Sequence, residues 1–352
     1  MKPRGLGWIV TRRSETANKW LFNSFDFDIV LKFGNHAFGF MALISHTSKS
    51  EGLLSGIWHL ASEVYIYPMK EQHTKGVLAT VVAALIWSTS GVLIKLIHQD
   101  AFTILCYRSL YAGLFFLLVF RQEALRIDKR AVLISLFYAP LLICFVTSTK
   151  LTTAANAIFL QYIAPAIVLV IEPRILGVKM KRYNLITVLL CILGLSFFLF
   201  EQKGTGHHWL GDGIALLSGF FSAGLLLSLR FSNRTQQMSG ILLGNIWVVL
   251  ITLPFFIKSP EATGTEHLML AFLGLIQIGL GFLLFAYGQR RIPAVESSLI
   301  AMIEPIFNPV WVLIWYGEEP SFWSIIGGVI ILATLAARMV FLKRLETKSI
   351  LT

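Results

Sequence analysis

The chain has 352 residues, of which 56% are hydrophobic and 14% are charged, and its mean hydropathy is +0.71. This composition excludes an ordinary soluble globular protein and indicates a chain that folds in lipid. The net charge of +11 is spread over short basic clusters between apolar segments, which is the pattern of membrane topology rather than of nucleic-acid binding.

The first part of the chain, residues 1–68, differs from the rest. Its one apolar stretch, Phe33–Ile44, is too short to cross a bilayer and contains Asn35 and His36. We expect an atypical, poorly ordered extension. A start site at Met69 and a surface-lying cytoplasmic helix are the alternatives.

From Val77 onward, apolar segments recur at the length of a tilted membrane helix, so an all-α membrane protein with ten transmembrane helices is predicted. The predicted spans are Val77–Ile94, Phe102–Phe120, Ala131–Ser148, Ala154–Ile171, Leu185–Phe200, Gly213–Leu229, Ile241–Ile257, Leu268–Gly288, Ala294–Tyr316 and Phe322–Val340.

The spans form two sets of five. When the sequence is shifted by 140 positions, Pro165 falls on Pro305 and Gly177 on Gly317. This predicts two repeats, residues 76–200 and 211–342, followed by a cytoplasmic tail at 343–352. Because each repeat has an odd number of helices, the second must enter the membrane from the opposite side, as in carriers built from inverted repeats.

Orientation follows from the positive charges. If the N-terminus is cytoplasmic, 18 Lys and Arg residues of the loops and ends fall on the inner side and 4 on the outer side. This bias predicts that both termini are cytoplasmic.

Several segments resemble the EamA-like, ten-helix branch of the drug/metabolite transporter superfamily. They are AALIWSTSGVLIK at Ala83–Lys95, FTILCYRSLYAG at Phe102–Gly113, and the spans centred on Pro165 and Pro305. The resemblance implies a permease or exporter of a small metabolite, amino acid or drug in a bacterial inner (plasma) membrane, working by alternating access. The chain departs from the family in residues 1–68.

Glu304 is the most informative side chain, because it lies near the middle of the ninth span, where an ionisable group is costly. Asn308 shares its helix face. Pro305 and Pro309 each leave a carbonyl without its helical donor, which favours a site for a cation, a proton or a substrate amine. The alternative is a protonated Glu304 in a kinked structural helix.

In the fourth span, Gln161 and Tyr162 precede Pro165 and could line the same cavity or bond neighbouring helices. Arg108 could snorkel to the surface or line the cavity and pair with a carboxylate. Trp87 could pack helices or form a cavity wall. The lesser candidates for substrate binding or coupling are Asn245, Gln277 and Tyr287.

Catalysis is not predicted. All five Asp and all eight His fall outside the predicted spans, so paired carboxylates or metal ligands at membrane depth are lacking, and we expect no metal and no cofactor. The predicted partners are a small-molecule substrate, the lipid bilayer and, as a candidate coupling ion, the proton. A structural or regulatory membrane protein is the main alternative. The substrate, the transport direction and the oligomeric state cannot be read from the sequence.

Overall fold

The computed structural model describes residues 71–200, 209–257 and 262–351. The N-terminal extension at 1–68 lies outside the described residues. Within them the chain is helical, and nine helices are long and apolar enough to cross a membrane. A tenth apolar helix, Arg182–Ser196, is shorter and continues as a 3₁₀ turn at Phe197–Phe200.

The apolar helices are numbered in chain order. Their bounds are α1 Glu71–Leu96, α2 Ala101–Val119, α3 Lys129–Leu151, α4 Ala154–Ile175, α5 Arg182–Ser196, α6 Trp209–Arg230, α7 Arg234–Phe256, α8 Gly264–Gln289, α9 Ala294–Ala301 with Ile303–Tyr316, and α10 Phe322–Leu351. A short helix, Arg121–Ala124, lies between α2 and α3.

Polar caps explain why several helices begin earlier than their apolar segments predict. Asn233 and Gln236 form a reciprocal capping box that starts α7 at Arg234, seven residues before the predicted Ile241. Thr263 and Glu266 do the same for α8. Asp212, predicted to precede the sixth span, also lies inside its helix, since α6 begins at Trp209. Hydropathy detects the membrane-embedded part of a helix and misses its polar first turns.

The last helix is longer than its apolar segment. α10 continues through Leu351, so most of the segment 343–352, predicted to be a tail, extends this helix.

Contacts between helix ends define two ends of the bundle. At the end that we call the Lys95 end, Lys95 pairs with Glu318 and donates to the carbonyl of Thr152, whose hydroxyl in turn donates to Asp212. At the end that we call the Arg230 end, Arg230 pairs with Glu172. Asp212 and Arg230 both lie in α6, one near each end of the helix. From the rise per residue of an α-helix, the stretch between them is about 27 Å long, which is close to the thickness of a bilayer core.

Helix packing brings the two halves of the sequence into contact. α2 packs against α7, α4 against α9, and α5 against α10. In addition, α1 packs against α9 and α6 against α4, while α2 packs against α8 and α7 against α3. The halves therefore share one core, rather than forming two separate bundles.

The outer surface of the bundle is apolar. Large side chains such as Leu118, Leu189 and Val329 are 71%, 57% and 59% exposed. In water such a surface would aggregate, but in lipid it is the expected exterior.

Candidate functional site

Two helices are interrupted near their middles, and a proline follows each break. α4 breaks at Tyr162 and Ile163, just before Pro165, and α9 breaks at Met302, just before Pro305. Each proline lies in the first turn of the next helical segment, where its missing N–H is tolerated. The breaks leave free backbone groups half-way along both helices, where a polar ligand can use them.

The break in α9 positions Glu304. This half-buried residue lies in the first turn of the segment Ile303–Tyr316, where free N–H groups favour a negative charge. The Tyr162 hydroxyl of α4 lies 3.4 Å from Glu304 Oε2 and 3.5 Å from the carbonyl oxygen of Ala301. That carbonyl is the acceptor that Pro305 leaves without a helical donor. The two broken helices thus meet through Tyr162 and Glu304.

Arg108 of α2 lies inside the bundle and does not snorkel to the surface. It is 3% exposed, and its Nη2 donates to Gln277 Oε1 of α8 at 2.6 Å. Its Nε and Nη1 have no hydrogen-bond partner among the described residues. Buried donors of this kind need acceptors, and a planar guanidinium suits a carboxylate or phosphate oxygen pair.

The local backbone of α8 explains how Gln277 reaches Arg108. The stretch Phe272–Leu280 is π-helical, a form that is rare and recurs at functional sites. Within it, Gly274 lies so close to α2 that a Cβ would stand 2.6 Å from the carbonyl oxygen of Arg108. Close approach of the two backbones therefore requires glycine at this position.

Tyr138 of α3 joins the same group of side chains, although the sequence analysis missed it. Its hydroxyl lies 3.4 Å from the amide nitrogen of Asn245 on α7, and the amide oxygen of Asn245 has no partner among the described residues. α3 packs against α2 and α7, the helices that carry Arg108 and Asn245. A tyrosine in the middle of an apolar span was the available signal.

Asn308 connects α9 to α1. Its amide nitrogen donates to Ser90 at 3.2 Å, and Gly91 leaves room for the amide because any Cβ there would collide with it. One turn further along α9, Trp311 Nε1 donates to Ser88 at 2.9 Å. The amide oxygen of Asn308 has no partner in the described part of the chain.

Together these side chains form what we call the central cluster, contributed by seven helices. Its members are Ser90, Arg108, Tyr138, Tyr162, Asn245, Gln277, Glu304 and Asn308. The cluster offers unpaired donors at Arg108 and unpaired acceptors at Asn245 and Asn308. It is therefore chemically equipped to hold a small polar molecule.

The other predicted residues lie beside the cluster or away from it. Gln161 accepts a hydrogen bond from Ser218 of α6 at 3.2 Å. Trp87 packs against Phe285 of α8, with ring centroids 5.0 Å apart. Tyr287 is 37% exposed and lies under the guanidinium of Arg291, so the structure places it at the Arg230 end and not in the cluster.

No group of three or more His, Cys, Asp or Glu residues within the described ranges is arranged to hold a metal ion. The three cysteines, Cys106, Cys144 and Cys191, are free thiols.

Comparison with known proteins finds one family model and several relatives that are named as transporters. The model of the EamA-like transporter family matches residues 74–200 and 209–338. A protein of Archaeoglobus fulgidus named as an uncharacterized transporter is 23% identical over 73% of this chain and 94% of its own length. The pseudopaline exporter CntI of Pseudomonas aeruginosa is 24% identical over 74% of this chain and 95% of its own length.

A third relative, from Salmonella typhimurium, is named as the uncharacterized inner membrane transporter YicL and is 25% identical over 74% of this chain and 94% of its own length. One solved crystal structure superposes with a TM-score of 0.54 and 19% identity, covering 78% of this chain and 99% of its own. At this identity the superposition is informative about the fold alone.

Membrane-length helices that surround a buried polar cluster define a multi-pass membrane transporter, and the relatives carry that name. Since the family model covers both halves of the chain, the protein belongs to the EamA-like transporter family.

Proposed function

We propose that this protein carries a small polar molecule across the inner membrane by alternating access, with the central cluster as the binding site. In this proposal the ten helices form two inverted repeats of five helices each, residues 76–200 and residues 211–342. The name of the relative YicL supports the inner membrane as the location.

Helix packing supports the inverted repeats. If α1 to α5 correspond to α6 to α10, the pairs α2–α7, α4–α9 and α5–α10 each join a helix to its own counterpart. Under the same correspondence, the contact between α1 and α9 becomes the contact between α6 and α4. In the same way, the contact between α2 and α8 becomes the contact between α7 and α3. A two-fold relation between the halves predicts this pattern of pairs, and its axis would pass through the central cluster.

The chemistry of the cluster narrows the substrate. Arg108 offers two unpaired N–H donors, which suit an acceptor group such as a carboxylate, and Glu304 offers a carboxyl group for a substrate amine or a transported proton. The single observation that carries the proposal is the presence, half-way along helices of opposite halves, of a buried cation and a half-buried acid. The described side chains offer no nucleophile–base arrangement comparable to it, so we propose no enzymatic activity.

Transport in proteoliposomes tests the proposal. The purified protein would be reconstituted and assayed in both directions with a panel of amino acids, other small metabolites and drugs, with and without a pH gradient. We expect at least one substrate to move, Glu304→Gln to change the rate and its pH dependence, and Trp87→Ala to weaken substrate selectivity. Glu123→Gln is the matched control, because Glu123 pairs with Arg234 at the protein surface.

An unchanged rate and pH dependence in Glu304→Gln would remove Glu304 from the mechanism. Absence of flux for every compound, in protein that is shown to be folded and inserted, would contradict the proposed binding site.

A further inference from the structure

The Lys95 end is closed by a buried ion pair between the two halves. Lys95 Nζ, in the last turn of α1, lies 2.6 Å from Glu318 Oε2, just after α9, and the two side chains are 10% and 17% exposed. Lys95 also donates to the Thr152 carbonyl at 2.8 Å, and Glu318 Oε1 accepts from the Ala154 backbone N–H at 2.6 Å. One ion pair therefore ties α1, α9 and the start of α4 together.

A second ion pair joins the halves at the Arg230 end. Arg230, in the last turn of α6, contacts Glu172 in the final part of α4. Glu172 is 16% exposed, whereas Arg230 is 52% exposed. No sequence pattern connects this pair with Lys95 and Glu318, since all four residues lie near span ends, where isolated charges are ordinary.

The two pairs lie at similar helix ends of the proposed repeats, although the 140-position shift places Glu318 on Val178 and Glu172 on Val312. Lys95 and Arg230 each end the first helix of a half, and Glu318 and Glu172 each lie at the C-terminal end of the fourth helix of a half. In both pairs a cation of one half meets a carboxylate of the other. Because the two ends are about 27 Å apart along α6, the pairs lie on opposite sides of the central cluster.

We propose that these two ion pairs are the gates of the transport pathway. Lys95–Glu318 closes the path from the cluster to one side, Arg230–Glu172 closes it to the other side, and the two pairs break in alternation. The inference rests on the proposed function, because a gate needs a pathway. It assigns a role to four residues outside the central cluster.

The gates differ in strength in this structure. The Lys95–Glu318 pair is buried and supported by two further hydrogen bonds, so breaking it exposes two poorly solvated charges. The Arg230–Glu172 pair is partly exposed and therefore weaker. Because a partly exposed pair costs less to separate than a buried one, we expect the Arg230 gate to open more readily.

The test is a measurement of access to the cluster from each side. Gln161→Cys, in a background without the three native cysteines, places a thiol beside the cluster, and a membrane-impermeant maleimide is applied to either face of right-side-out or inverted vesicles. We expect labelling mainly from the Arg230 end. Glu318→Gln should raise labelling from the Lys95 end by at least about tenfold, since it leaves Lys95 without its partner. Glu172→Gln should raise labelling from the Arg230 end by about threefold.

A charge-reversal variant distinguishes the loss of the ion pair from misfolding. The double variant Lys95→Glu with Glu318→Lys restores a pair of opposite charges and should bring labelling from the Lys95 end back toward the parent level. Glu123→Gln breaks the ion pair with Arg234, which joins the halves at the Arg230 end without involving either gate residue, and should leave labelling unchanged.

Disulfide cross-linking of engineered cysteine pairs tests whether the gates control transport. Oxidation of Lys95→Cys with Glu318→Cys, or of Arg230→Cys with Glu172→Cys, should stop flux, and a reductant should restore it. Oxidised Arg234→Cys with Glu123→Cys should continue to transport. The proposal would be wrong if an oxidised gate pair transported substrate at the same rate as the reduced pair. It would also be wrong if neither Glu318→Gln nor Glu172→Gln changed the labelling of the Cys at position 161. If the parent protein moved no substrate, the proposed function would fail, while the labelling would still decide whether these pairs control access.

Discussion

Arg108 and Glu304 illustrate how a side chain that is costly in lipid becomes useful inside a bundle. The guanidinium of Arg108 is held by Gln277, and Glu304, in the other half of the chain, lies beside the Tyr162 hydroxyl. Neither group faces lipid alone, so the cost of burying each is partly offset by its neighbour. We expect the Arg108 nitrogens that have no partner among the described residues to bind the substrate, and substitution measures the consequence.

Replacement of Arg108 by Met should abolish transport without lowering the thermal stability. Methionine fills a similar volume and removes a buried charge whose Nε and Nη1 have no partner among the described residues, which offsets the lost hydrogen bond to Gln277. The measurement is the Tm in detergent together with flux in proteoliposomes. Arg121→Met, at an exposed position, is the control and should keep full flux. Wild-type transport by Arg108→Met would show that the cation has no part in binding.

Tyr162→Phe removes the hydroxyl that lies between Glu304 and the free carbonyl of Ala301. Because one hydrogen bond contributes about 1 kcal/mol, we expect the KM for transport to rise by about fivefold while the fold is retained. Tyr287→Phe, at the exposed tyrosine beside Arg291, should leave the KM unchanged. An equal effect of the two substitutions would mean that the position of Tyr162 beside Glu304 has no functional importance.

At the scale of helices, the structure relies on close crossings and on polar caps. α5 and α10 approach so closely that a Cβ at Gly327 would stand 2.6 Å from the carbonyl oxygen of Gly194. In a membrane, where the hydrophobic effect does not drive helices together, such small-residue contacts provide much of the attraction.

Gly327→Leu should therefore separate α5 from α10 and lower the Tm of the purified protein. The side chain has no space between the Gly194 carbonyl and the Phe198 ring, so one helix must shift. Gly213→Leu is the matched control, because nothing lies within 4 Å of a Cβ there and leucine favours the helix. A Tm of Gly327→Leu equal to that of the control would contradict the close crossing.

The start of α3 offers a test that depends on pH. Hydrogen bonds from the Ala131 backbone N–H and from Gln236 lower the pKa of Asp128, which caps this helix. Since its pKa is lower in the folded state, Asp128 stabilises the fold at neutral pH, and this contribution is lost as the pH falls through the lowered pKa. Asp128→Ala should lower the Tm at pH 7 and should lower it much less at acidic pH. Asp128→Asn retains a capping side chain, so at pH 7 it should lower the Tm less than Asp128→Ala does. A loss for Asp128→Ala that is the same at both pH values would contradict this role.

At the scale of the whole molecule, the distribution of charge predicts how the bundle sits in the membrane. The basic loops gather at the Arg230 end, which holds Arg234 and Arg291 as well as Arg230 itself. We therefore expect this end to face the cytoplasm.

Fusion proteins measure this orientation. A C-terminal green fluorescent protein should fluoresce, and a C-terminal alkaline phosphatase should be inactive, because the C-terminus is expected inside. The same reporters placed after Ile257, between α7 and α8, should give the reverse pattern. Active phosphatase at the C-terminus would reverse the assignment of both gates to the two sides of the membrane.

The sequence by itself determined the class of the protein, the positions of most helices and the breaks before Pro165 and Pro305, whereas Pro309, also predicted to break its helix, lies inside the segment Ile303–Tyr316. These features depend on local composition and spacing, which determine whether a segment prefers lipid and where its backbone hydrogen bonds fail. It also selected Arg108, Gln277 and Glu304, because polar residues are rare in such spans. It could not assign Lys95 or Glu172 a partner, nor include Tyr138 in the cluster. Only the tertiary structure decided these contacts, because residues far apart in the chain meet through the packing of whole helices, and no local pattern records which face of a helix meets which neighbour.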